Sequence, residues 1–255
     1  MSVVIFTGPT LAPDAGRTVL EATYLPPAAQ GDVYRAARQR PRAIGIVDGY
    51  FECVPSVWHK EILWALAHGI QVYGSASMGA LRAVECEAFG MVGVGAVFEA
   101  FRDGVLEDDD EVAVVHGPAD TGYRPLSEAM VNIRWTVGAA VAAEVLDPAN
   151  GAALERVAKA LYYPERAWPR ILAGAANSGL AAAHVDRLRS WLPSGRVDRK
   201  REDALAMLRA IRDDVAVDHG RRRAAFTIAR SAQWERARRA MTCTAHVGHV
   251  GGGGP

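Results

Sequence analysis

Cysteine is scarce in this chain: Cys53, Cys86 and Cys243 are widely spaced and include no CxxC pair, so a disulfide framework, a zinc knuckle and a dithiol redox motif are all excluded. Reduced thiols are expected. No apolar run reaches the roughly 20 residues of a membrane helix, and the opening MSVVIFTGPT lacks both the basic start and the long apolar stretch of a secretory signal. The expected location is the cytoplasm, with no membrane partner. A charge excess is missing too: 29 Lys and Arg stand against 29 Asp and Glu, so no overall field draws the chain to nucleic acid or to an anionic surface. Gly93-Val94-Gly95 is too short for a dinucleotide fingerprint and has no strand signal directly before it, and no cofactor or metal is expected.

What is present is apolar material. Of the 255 residues 50% are hydrophobic and 23% charged, enough to bury a core in one or two domains. Val3-Val4-Ile5-Phe6 and Ala43-Ile44-Gly45-Ile46-Val47 are short, continuous apolar runs ended by turn residues, the pattern of strands buried on both faces. A weaker β signal lies at Ala22-Thr23-Tyr24-Leu25, and Gln71-Val72-Tyr73 and Val112 to Val115 complete the predicted strands. Between them fall a short helix from Asp32 to Arg38, a clearer one from Val57 to Ala67 capped by Ser56, and a helix that starts directly after Ser77. This alternation predicts a parallel sheet. From about Ser127 the pattern becomes Ala-rich and Leu-rich at helical spacing, with breaks near Pro148, Pro164 to Pro169 and Pro193 that give about five helices. The predicted fold class is thus α/β: a parallel-sheet domain over 1–120, a mainly helical region over 121–218, and a flexible Arg/Gly-rich tail over 219–255. That tail holds seven arginines and one acid after His219 and ends in Gly251-Gly252-Gly253-Gly254-Pro255.

In parallel sheets ligands bind at the carboxyl ends of strands, where helix N-termini offer N–H groups to anions. Unusual residues fall at four such ends: Thr7 and Thr10, Asp48, Ser77 and His116. Gly74-Ser75-Ala76-Ser77-Met78-Gly79 has the small-x-Ser-x-small form of a nucleophile elbow, in which the N–H groups of Met78 and Gly79 would face an oxyanion; a serine capping the next helix has the same spacing. His59 sits in the first turn of its helix, where the dipole favours the neutral imidazole that a base requires, and His116 is a second candidate base. Asp48 could orient a histidine or simply form an Asp-Gly turn. Arg82 and Glu85 have the i,i+3 spacing of an intrahelical pair, and Arg82 is also a candidate substrate contact. The acidic run Glu107-Asp108-Asp109-Asp110-Glu111 could hold a divalent cation or a basic surface, or be a solvated loop. Cys53 could carry a persulfide or be a small apolar group.

From Asp48 to Arg134 the chain resembles the TfuA-like family, in Asp48-Gly49-Tyr50-Phe51, in Ser56-Val57-Trp58-His59-Lys60-Glu61-Ile62-Leu63-Trp64-Ala65-Leu66, in Ser77-Met78-Gly79-Ala80-Leu81-Arg82-Ala83, in Phe89-Gly90-Met91-Val92-Gly93 and in Gly122-Tyr123-Arg124-Pro125-Leu126-Ser127. The resemblance implies association with a YcaO-type enzyme in peptide or protein thioamidation, on the sulfur side. It implies either release of sulfide from the C-terminal thiocarboxylate of a ThiS-like sulfur carrier protein or docking that activates the YcaO partner. Joined to the elbow geometry, it gives an expected hydrolase with Ser77, His59 and Asp48 as catalytic residues and Met78, Gly79, Arg82, Thr7 and His116 around the substrate. A sulfur relay through Cys53 is the third expectation.

Overall fold

The computed structural model describes residues 2–52, 54–217, 225–229 and 231–243. Five parallel strands form one sheet in the order β2-β1-β3-β4-β5: β1 (Val3–Phe6), β2 (Thr23–Leu25), β3 (Ala43–Ile46), β4 (Gln71–Ser75) and β5 (Val92–Val94). Their crossovers carry α1 (Pro13–Arg17), α2 (Asp32–Arg38), α3 (His59–Ala67) and α4 (Met78–Cys86), and α5 (Ala96–Arg102) follows β5. Strand periodicity sends Val4, Phe6, Ile44, Ile46 and Val72 to one face, where they pack with Val33 and Ala36 of α2, Ile62 and Leu66 of α3, and Ala80 and Ala83 of α4. Val3, Ile5, Ala43 and Tyr73 take the other face.

That second face is covered from far along the chain. α6 (Met130–Ala142), α7 (Pro148–Ala160), α8 (Trp168–Asn177) and α9 (Ala182–Gly195) share their own core of Ile133, Val137, Leu154, Ile171, Leu172 and Leu188. α10 (Arg199–Ala216) then returns to the sheet, laying Ala204, Met207, Leu208 and Ile211 on Val3, Ile5 and Tyr73. A boundary near residue 120 therefore separates α10 from the sheet whose face it covers. The direction of α10 is fixed by two contacts. A Cβ added to Gly45, midway along β3, would lie 3.0 Å from both Met207 and Ile211, while one added to Gly95, just past β5, would lie 2.4 Å from the Asp203 carboxyl carbon. The N-terminus of α10 thus stands at the carboxyl edge of the sheet.

Three local expectations are corrected. Val112 to Val115 is not a strand: the Val115 N–H donates to Ser127 Oγ at 2.8 Å, its carbonyl accepts from Leu126 at 2.7 Å, and only a single bridge, His116 to Pro125, forms. The last strand is Val92–Val94 instead, which pairs with Tyr73 to Ser75. α3 begins at His59, not Val57, because Ser56 is taken by Arg82 at 3.1 Å and the Glu61 carboxylate caps the helix by accepting from the Trp58 N–H at 3.2 Å.

Part of the stretch expected to be a flexible tail is ordered. α11 (Ala232–Cys243) seats Trp234, 2% exposed, against Tyr34 and Trp58 at centroid separations of 5.7 and 6.2 Å. His219 and the Gly-rich terminus lie outside the described residues.

The tightest contact in the fold is the start of α4 on β3. A Cβ on Gly79 would sit 1.7 Å from the Ile46 carbonyl oxygen, and one on Gly74 would sit 2.0 Å from the Gly79 carbonyl oxygen. Gly79→Ala is accordingly expected to cost about 3 kcal/mol or more in urea denaturation. Gly138→Ala, on an open face of α6 with nothing within 4 Å, should instead gain about 0.5–1 kcal/mol. Removing the ring in Trp234→Ala should cost about 3 kcal/mol, where a tail without a packed element would register no change.

Candidate functional site

Strand order 2-1-3-4-5 places the topological switch point between β1 and β3, and crevices for ligands open at the carboxyl ends of such strands. Two structures occupy that edge. The first is the turn from β4 into α4. Ser77 N–H donates to the Ser75 carbonyl at 2.7 Å across Ala76, whose φ of +65° makes this a γ-turn of the rarer, positive-φ kind. A non-glycine residue held there costs of order 1–3 kcal/mol, and such strain concentrates at functional sites. Neighbouring bonds hold it in place: Ser75 Oγ donates to the Val94 carbonyl at 2.7 Å, and the Gly79 N–H donates to the Val47 carbonyl at 3.2 Å.

Ser77 is 2% exposed, and among the described residues its hydroxyl makes no hydrogen bond and is not one of the fully buried unpartnered atoms. It does not cap α4 with its side chain. The Met78 N–H, at the positive end of α4, has no acceptor among the described residues. One hydroxyl and one N–H therefore remain available at the turn. Gly79 cannot be the second oxyanion donor that was expected, because its N–H already holds the helix on β3.

The other expected residues are placed as follows. Asp48, 1% exposed, accepts from the Gly8 N–H at 2.9 Å, the Thr10 N–H at 3.0 Å and Thr10 Oγ1 at 2.6 Å. It fastens the loop after β1 to the end of β3 and, among the described residues, holds no histidine. Thr7 donates to the Leu11 carbonyl at 2.8 Å within the same loop. His59, its side chain 45% exposed, meets Glu85 through Nε2 at 2.8 Å, and Glu85 also accepts from Arg82 at 2.5 Å. Arg82 spans further, to the Val57 carbonyl at 2.9 Å, and so ties α4 to the approach of α3. His116 bonds the Gly117 carbonyl at 2.8 Å and its ring lies between Tyr50 and Tyr123. Among the described residues no histidine is bonded to Ser77. Asp48, Thr7, Thr10 and Ser77 thus share one edge, while His59 and His116 are bonded elsewhere. Cys53 lies outside the described residues; Cys86 is buried, and burial pushes its thiol up to about 11, so it is not a thiolate at neutral pH.

The acidic run is neither a solvated loop nor an open docking face throughout. Lys159 bridges Asp108 at 3.0 Å and Glu111 at 2.9 Å and also bonds Asp110, Arg134 grips Glu111 with two bonds of 2.9 Å, and Arg166 takes Asp110 at 2.5 Å. Burial raises the pKa of Asp110 and Glu111, but the bonds from these cations outweigh it and hold both carboxyls below their usual range.

The second structure at the edge escaped the sequence reading. A cavity of about 370 Å³ opens beside the loop after β1, with Thr10, Ser127, Asn132, Trp168, Asp198 and Lys200 in its wall. Lys200, in the first turn of α10, is 3% exposed; its Nζ donates to the Val112 carbonyl at 2.7 Å and its N–H to Asn132 Oδ1 at 3.1 Å. Burial pulls its pKa down, and the carboxylates of Asp48, Asp198 and Glu128 only partly restore it. A signal for it was available. Lys200, Ala204, Met207, Leu208 and Ile211 fall at i, i+4, i+7, i+8 and i+11, so the lysine stands in the apolar stripe of its helix.

Residues 48–167 match the family model described as TfuA-like protein. No curated protein matches the chain. The matched span holds the Ser77 turn, Asp48 and the Ser127, Asn132 part of the cavity wall, whereas Thr10 and Lys200 lie outside it.

The depressed pKa of Lys200 has a sign that can be tested. Between its folded pKa and the unfolded value near 10.5 the unfolded chain binds more protons, so this lysine destabilises the fold at neutral pH and does so less as pH rises. Lys200→Met is expected to raise the thermal midpoint at pH 7, with a gain that shrinks as pH approaches about 10.5. A variant that melts lower at pH 7 would contradict this assignment.

Proposed function

From a chain that is TfuA-like over residues 48–167, we propose a sulfur-delivery protein for YcaO-dependent backbone thioamidation, which releases sulfide from the C-terminal thiocarboxylate of a ThiS-like carrier. The TfuA-like family is associated with YcaO systems in general; carrier hydrolysis is the finer step taken here. The observation that carries it is the Ser77 hydroxyl, without a hydrogen-bond partner among the described residues and beside the unused Met78 N–H, on a strained turn inside the TfuA-like span.

The chemistry balances without an added oxidant or reductant. Ser77 Oγ adds to the thiocarboxylate carbon, the Met78 N–H stabilises the oxygen that gains charge, and the C–S bond breaks with the serine proton ending on sulfur as hydrosulfide. Water then attacks the ester, which returns the Ser77 hydroxyl and leaves the carrier as a carboxylate plus one proton. Direct attack by water at the same carbon would use the same two groups, with Ser77 as a donor to the oxygen. Hydrosulfide leaves readily, so neither route demands a general acid at sulfur, and the proton of the attacking hydroxyl or water passes to the departing sulfur.

Sulfide release from a thiocarboxylated carrier by the purified chain is the direct measurement. Ser77→Ala should lower it by about a hundredfold or more, since removal of an oxyanion donor or a nucleophile costs at least that. His59→Ala should change it only slightly. Unchanged release in Ser77→Ala, with a dead Cys53→Ser, would replace hydrolysis by a thiol relay. A wild-type chain that releases no sulfide but stimulates a YcaO enzyme supplied with inorganic sulfide would replace the enzyme by a non-catalytic activator.

A further inference from the structure

Other buried ionisable groups of the described structure are met by several partners. Glu61 accepts three backbone N–H groups, from Gly31, Tyr34 and Trp58. Asp48 accepts three bonds from the loop after β1. Arg166 reaches the Ala158 and Asp110 carbonyls and the Asp110 carboxylate. Lys200 differs: it has one carbonyl, that of Val112, and no ion pair within 4.0 Å among the described residues, so two of its three N–H groups are unused. An ammonium kept in that condition is costly, and such a cost is retained chiefly where a ligand completes the set.

The charges around it are already committed. Glu128 is paired with Arg196, Asp198 caps α10 by accepting from Arg201 N–H at 3.1 Å and also holds Asn132 at 3.1 Å, and Asp48 holds the β1 loop. Arg166 and Arg196, the other cations in the wall, are held by Asp110 and Glu128. Trp168 lines the same cavity and its buried indole N–H has no partner. A cavity with unused donors and committed acceptors is made for an acceptor. Its volume of about 370 Å³ is at the lower end for organic ligands and well above what a simple carboxylate fills.

We propose that this cavity is a binding site for the carboxylate or thiocarboxylate end of an extended peptide, with Lys200 Nζ as the group that receives the terminal anion. The cavity and the Ser77 turn share the carboxyl edge of the sheet: Asp48, whose charge acts on Lys200, directly follows Val47, whose carbonyl accepts from the Gly79 N–H. That the peptide is the tail of a sulfur carrier rests on the sulfide-release reading; the anion site rests on the cavity alone.

The experiment is calorimetric titration of the full chain with a pentapeptide ending in Gly-Gly, as the free acid and as its C-terminal amide, and with acetate. The acid should bind at least about tenfold more tightly than the amide, the difference a charge-assisted hydrogen bond supplies. In a pH series from 7 to about 10.5, run in two buffers of different ionisation enthalpy, its binding should take protons up at the pH where Lys200 titrates, because the anion favours the charged form of an amine whose pKa burial lowers from the usual 10.5. Lys200→Met should abolish both the acid-over-amide preference and the uptake. Equal response to acid and amide, lack of binding by both included, overturns the site; so do binding without uptake and a preference that survives in Lys200→Met. Acetate as tight as the peptide acid overturns the peptide part. If the acid binds through Lys200 while the chain releases no sulfide from a thiocarboxylated carrier, the anion site stands and the hydrolase falls. If release is undiminished in Lys200→Met, the hydrolase stands and the assigned occupant falls.

Discussion

The carboxyl edge of this protein depends on one contact, the seating of α4 on β3, where the Gly79 N–H meets the Val47 carbonyl and no side chain fits between helix and strand. Because the helix must start that close to the sheet, the chain has only Ala76 and Ser77 in which to leave β4 and enter α4. Ala76 takes the positive φ, and Ser77 stands, buried, immediately before the helix. The same bond uses the Gly79 N–H and leaves that of Met78. One residue after Val47, Asp48 carries the constraint sideways by gathering the loop after β1, which forms a wall of the cavity beside Lys200. Helix seating, backbone strain and site geometry are therefore consequences of a single backbone-to-backbone approach that only glycine permits.

Much of this was legible. Continuous apolar runs marked β1 and β3, and small residues around Ser77 marked a tight turn at a strand end, because buried parallel strands and close helix approaches leave strong compositional traces. The failures have physical causes. Val92-Gly93-Val94 is short and half glycine-like in its signal, since Gly93 is there to admit the Phe98 ring, so packing hid a strand. Val112 to Val115 has β composition, yet its backbone groups are taken by Ser127, Leu126 and Lys200, and composition does not report which partner wins. The bonding of the expected histidines was not legible for a related reason: a favourable place in sequence does not reveal that Glu85 stands across from His59.

The division into a sheet domain and a helical half was legible as composition but not as packing. α10 belongs by sequence to the helical half and by contact to the sheet, and only its arrival brings Lys200 to the edge. The TfuA-like span supplies the turn and part of one wall, while Thr10 and Lys200 come from segments on either side of it. The two groups argued to act on a carrier tail are separated by more than a hundred residues, and it is the sheet that brings both to its carboxyl edge.

Charge balance then sets how such a site turns over. A thiocarboxylate and the carboxylate left after sulfide departs carry the same charge, so a fully ionised, well-solvated lysine would hold spent and loaded carrier alike. Burial changes that arithmetic. Each anion that enters must give up its hydration to reach an amine that is already buried, and that cost is subtracted from the affinity of both. On the proposed reading, preference for the loaded carrier then rests on chemistry and not on charge, because the thiocarboxylate alone offers the Ser77 turn a C–S bond to break.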